Sequence, residues 1–117
     1  MKIFKICLLL LCFTSTIVFS QTTCATSQAF CANNTSGTTF PASTNTTAEA
    51  GPSYGCLSTT PNPAWYYFQV STTGIINIGI SGTGGGDVDF ICWGPFPSPN
   101  GNCGTSLTAG NTVDCSY

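Results

Sequence analysis

The sequence predicts an all-β, antiparallel fold held by disulfides, and three observations carry that expectation. Apolar and polar residues alternate with a period of two through the middle of the chain. No stretch of it repeats with helical spacing. Beyond the N-terminal leader there are six cysteines in a short segment rich in Gly, Pro, Ser, Thr and Asn.

The leader accounts for the first 20 residues. "MKIFK" is a positive start, "ICLLLLCFTSTIVF" an apolar run too short for the ~20 residues of a bilayer span, and "VFSQ" a cleavage point after Ser20. Cys12 follows Leu11 rather than a small residue, which argues against a lipoprotein signal. Removing 20 of the 117 residues leaves 97, enough for one domain with a modest core. Both cationic side chains, Lys2 and Lys5, leave with the leader. What remains has no Lys, Arg or His, and its side-chain charges are Glu49, Asp87, Asp89 and Asp114. Nucleic-acid binding is thereby excluded, since phosphates need basic partners, and anionic membrane surfaces are disfavoured. No later stretch is long enough to span a membrane.

Residues 22–64 favour turns and short strands, with Phe30, Phe40, Tyr54 and Leu57 as isolated apolar anchors. Asn33, Asn34 and Asn45 begin N-x-Ser/Thr patterns and are read as turn residues. In "WYYFQV", Tyr66, Phe68 and Val70 share one face, opposite Trp65, Tyr67 and Gln69. "STTG" supplies a turn. "IINIGI" then sets Ile76, Ile78 and Ile80 together, and "SGTGGG" connects to "DVDFICW", where Val88, Phe90 and Cys92 align. These are three antiparallel strands. A sandwich needs about seven, and residues 94–117 are mostly turn chemistry, so the sequence reads as a domain cut short at its C-terminal side.

The disulfide candidates are Cys24, Cys31, Cys56, Cys92, Cys103 and Cys115, an even set with 15 possible pairings in an exported chain. A Cys103–Cys115 bridge would close a short loop and contribute about 3 kcal/mol. Cys92 alternates with Val88 and Phe90 and so reads as a core residue, where a free thiol packs as a small hydrophobe. Zinc is disfavoured, because there is no Cys-x-x-Cys pair and no histidine.

"AWYYFQVSTTGIINIGISGTGGGDVDFICWGP" resembles the core of the pre-peptidase C-terminal domain. Tyr66, Phe68 and Val70 match its aromatic strand, Ile76, Ile78 and Ile80 its second strand, and Asp87, Asp89, Phe90 and Pro95 its third. Together "CATSQAFC", "AGPSYGCL", "PNPAWYYFQV", "DVDFICWGPF" and "DCSY" resemble, over residues 21–117, an N-terminal module of secreted surface proteins of gliding bacteria. Such proteins carry adhesin-like repeats and a gliding-motility-associated sorting domain for type IX secretion. The resemblance implies a jelly-roll-like β-sandwich, incomplete at the C-terminus, located at the cell surface or secreted, with a non-catalytic adhesion role. Its partners would be extracellular polysaccharide or other surface proteins. Related modules run on for more strands, and the sorting domain is absent from this sequence.

Three chemistries compete for the remaining side chains. Asp87 and Asp89, two apart on a strand, point to one side and suit calcium, with Glu49 as a third ligand and Asp114 a remote fourth. The alternative is that both are solvated at a loop–strand junction. Carboxylates on one side of a docked sugar do not flank its glycosidic bond. The absence of His and Lys removes Ser-His, Cys-His and Ser-Lys nucleophiles, so no enzyme is expected. Trp65, Tyr67 and Trp93 lie off the proposed core face. They either stack on sugars as a carbohydrate-binding module or are covered by a second layer. "GTGGGD" lacks the Gly-Lys-Ser/Thr ending of a phosphate loop and is not in tandem, so it reads as a turn.

Overall fold

A computed structural model of the chain describes residues 21–30, 41–99, 101 and 103–117. The leader and Cys31, Asn33 and Asn34 lie outside these residues. Among the described residues there is no α-helix. There are four short strands in two small sheets, three single turns of 3-10 helix, and long stretches of turn and irregular chain. Strand β1 (Gln28–Ala29) pairs in parallel with β2 (Tyr66–Tyr67), and β3 (Phe90–Trp93) pairs antiparallel with β4 (Thr112–Ser116).

The β3–β4 pair sets Ile91 opposite Cys115 and Cys92 opposite Asp114. The register then slips so that Trp93 faces Thr112, leaving Val113 as the extra residue of a bulge. Such a bulge bends and twists the strand that carries it. Beyond it the Gly94 amide donates to the Asn111 carbonyl at 2.9 Å, and the 3-10 turn Ala109–Asn111 leads directly into β4.

Two disulfides fix the chain over long range, Cys24–Cys103 with a sequence separation of 79 and Cys56–Cys115 with 59. The short Cys103–Cys115 loop is therefore not formed; each of these cysteines takes a partner from the first half of the chain. The partner loop reaches β4 through Gly55, which has φ +57° and lies so close that a Cβ there would stand 2.8 Å from Ile91 Cδ1. Only glycine tolerates both the left-handed backbone and that approach.

Between the two sheets sits a core of Cys24, Trp65 and Leu107, with Tyr54, Trp93, Phe96 and Cys103 packed against it. The face read from the alternation is not the more deeply buried one, although Tyr66 and Phe68 on it are half-buried. Trp65 is 9% exposed, whereas Val70, Ile76, Ile78 and Ile80 stand half-exposed. "WYYF" is apolar on both faces, so its period decides nothing, and the larger ring takes the interior. The expected three-stranded sheet does not form either. Only Tyr66–Tyr67 of the first stretch is a strand, its partner is β1 rather than residues 75–80, and 75–80 itself belongs to no sheet. "SGTGGG" is ordered as a 3-10 turn at Thr83–Gly85.

Candidate functional site

Two groups of side chains are the candidates, the carboxylates and the aromatics. Among the carboxylates, Asp87 and Asp89 are exposed on the approach to β3, which starts at Phe90. Asp87 Oδ1 accepts the Val88 amide at 3.0 Å, a local bond that turns the carboxylate back on its own chain. Glu49 is engaged elsewhere. Its Oε1 accepts the Cys24 amide at 2.6 Å, at the start of the 3-10 turn Cys24–Thr26. That turn has free amide donors to offer, and a carboxylate is a strong acceptor for them. Asp114 lies opposite Cys92 on β4, with Oδ1 accepting the Cys115 amide at 2.8 Å. Among the described residues no three of His, Cys, Asp and Glu lie together as a metal would require. Asp87 and Asp89 stay neighbours, and Glu49 does not join them.

The aromatics are brought together, but against one another. The indoles of Trp65 and Trp93 stack with centroids 5.4 Å apart and 8° between planes. Tyr54 meets both edge-on, at 6.4 Å and 6.0 Å. Trp93 Nε1 donates to the Ser53 carbonyl at 3.1 Å, and the Ser53 amide donates to the Leu107 carbonyl at 2.8 Å. The "PSYG" segment is thus hydrogen-bonded both to β3 and to the loop that carries Leu107. The Tyr54 hydroxyl donates to the Glu49 carbonyl at 2.7 Å. Burial, and then the Glu49 charge, push its pKa up to about 12. Trp65 Nε1 is buried with no acceptor among the described residues. Ring faces spent on each other do not stack on a sugar, so in this arrangement the Trp pair works as core. Tyr67, half-buried on β2, is not a member of that cluster.

Sequence reasoning missed Leu107 altogether, a lone apolar residue in "GTSLTAG" whose isolation was its one signal. Tyr54 stood out only as an anchor in a turn-rich stretch. Cys92 is a free thiol, half-buried, with its pKa raised by burial and then by the facing Asp114 charge. It is therefore a poor nucleophile at neutral pH.

No protein-family model, curated protein or solved structure matches this chain. The class of molecule has to come from the chain itself. The described residues form a few short strands in two small sheets, are otherwise poor in regular structure, and carry two disulfides of the sort kept in oxidising, extracellular surroundings. No helix among the described residues is long and apolar enough to cross a membrane.

Proposed function

We infer that this chain is a non-catalytic extracellular module of a larger secreted or cell-surface protein, serving adhesion or display, with a jelly-roll-like sandwich as its complete fold. The observation that carries the reading is the pair of long-range disulfides, one of them packed in the cluster that holds the Trp65–Trp93 stack. Such a chain puts its chemically distinctive residues into holding a shape outside the cell. An exported portion without Lys, Arg or His supports the same view, since it lacks the usual bases and cations of catalysis. The likeness to surface modules of gliding bacteria adds type IX export and an adhesin-like parent protein. A weak calcium site on Asp87 and Asp89 belongs to this reading, completed by backbone carbonyls and water at the ~10⁻⁴–10⁻³ M typical of extracellular modules.

The test is made in the native host. An epitope tag between Ser98 and Gly101 should be found on intact cells or in the medium, and deletion of the gene should reduce attachment to surfaces. A tagged product retained inside the cell, or a deletion strain that attaches normally, refutes the proposal. Calcium is tested separately: 10 mM should raise the Tm of the wild type and not that of Asp87→Asn/Asp89→Asn. Equal Tm values for the wild type with and without calcium remove the metal site alone.

A further inference from the structure

We propose that residues 75–80 are a docking strand for a second copy of this chain, paired antiparallel about a two-fold axis at Ile78. The apolar groups are already displayed there. Ile75 is 92% exposed, and Ile76, Ile78 and Ile80 are 51%, 46% and 51% exposed. No backbone hydrogen bond joins residues 70–81 to any other described residue, so their amides and carbonyls are open to a partner strand. An uncharged β-branched segment without proline has none of the devices that normally guard an exposed strand.

Charge selects both the place and the occupant. All side-chain charge beyond the leader is negative, on Glu49, Asp87, Asp89 and Asp114, so two copies repel wherever those groups meet. Of the other exposed apolar residues of the C-terminal half, Val88 and Val113 each adjoin an aspartate and Tyr117 follows Asp114 by three positions, while Val70 lies in the same uncharged stretch, five residues before the row. Residues 50–86 hold no charged side chain, which leaves "IINIGI" as the face where copies approach without that cost. The segment is also self-complementary. With Ile78 opposite its own copy, Ile76 falls opposite Ile80 in both directions and Asn77 opposite Gly79. All six isoleucines of the row then lie on one side of the paired strands, as an isologous interface requires. The proposal does not rest on the adhesion reading, since a dimer would form wherever the chain is exported.

The experiment is sedimentation velocity on the exported chain, collected after secretion with its own leader, from micromolar concentration upward. The wild type should sediment as a dimer, with residues 75–80 protected from amide exchange. Ile78→Lys, which places two like charges at the axis, should sediment as a monomer with the near-ultraviolet signal of the Trp stack unchanged. Should Ile78→Lys lose that signal, Ile78→Thr takes its place and should weaken dimerisation at least about tenfold, for the two apolar carbons that each copy loses at the axis. A wild type that stays monomeric overturns the proposal, whether or not 75–80 is protected. So does a dimer that survives both substitutions, or an open-ended assembly larger than two.

Discussion

Replacing the Cys24–Cys103 bridge by serines, as Cys24→Ser/Cys103→Ser, tests what holds this chain together. The bridge spans a sequence separation of 79, for which loop-closure entropy gives about 4.5 kcal/mol. A domain of this length has about 5–15 kcal/mol of stability in all. This one belongs at the lower end, because the buried apolar core among its described residues is Cys24, Trp65 and Leu107, and Cys24 is itself half of the bridge. Removing the sulfur therefore takes away covalent closure and one core residue together. The double variant should be largely unfolded at 37 °C. Urea titration at 10 °C, followed through the near-ultraviolet signal of Trp65 and Trp93, should show at least about 3 kcal/mol lost, allowing for residual structure in the unfolded chain. A loss under about 1 kcal/mol with the signal intact would mean that packing rather than covalent closure holds the fold.

Further expectations follow from individual contacts. Gly55→Ala forces a left-handed alanine and a Cβ against Ile91, and should cost about 1–3 kcal/mol by urea titration. A neutral outcome would show that the 53–57 loop shifts freely. Glu49→Ala removes the acceptor of the Cys24 amide and should cost about 1–3 kcal/mol, while Glu49→Gln restores part of it. Tyr54 titrates near 10.0 unfolded and at about 12 folded, so the folded state keeps the proton longer. That contribution is complete below pH 10 and is lost as pH rises towards 12. Absorbance at 295 nm should contain a late phenolate that Tyr54→Phe removes, and its survival in that variant would assign the late titration elsewhere. Cys92 should react with iodoacetamide at pH 8 far more slowly than in urea, with Asp114→Asn speeding the folded rate; equal rates folded and unfolded would contradict its burial.

The parts of the fold legible in the sequence are those governed by local chemistry. "FICW" alternates within a β-branched and aromatic context and becomes β3, and Asn45, read as a turn residue, adopts φ +57°. What depended on distant partners was not legible. The alternation in "WYYFQV" has a large apolar residue at each of its first four positions, so which face is buried was decided by Trp93, 28 positions away, and by Tyr54. "IINIGI" has strand-like alternation yet no described segment pairs with it as a strand. The cysteine spacing left fifteen pairings open, and the pairing follows the approach of the 53–57 loop and the N-terminal turn. Of the candidate sites, the closeness of Asp87 and Asp89 was legible because they are two apart in sequence. The Glu49 carboxylate was not, since its partner is a backbone amide and backbone partners leave no mark in composition.

The order in which the two bridges connect has a further effect. Along the chain the paired cysteines run 24, 56, 103, 115, with the first joined to the third and the second to the fourth. A single peptide cut anywhere between Cys24 and Cys115 leaves the two pieces covalently tied. Cuts in two different intervals between these cysteines still release no fragment, whereas bridges joining neighbours would let one cut separate the halves, and nested bridges would let two cuts free the middle. A molecule exposed to extracellular proteases can thus be nicked twice, in two different intervals, and still remain a single particle, its loss registered only after reduction.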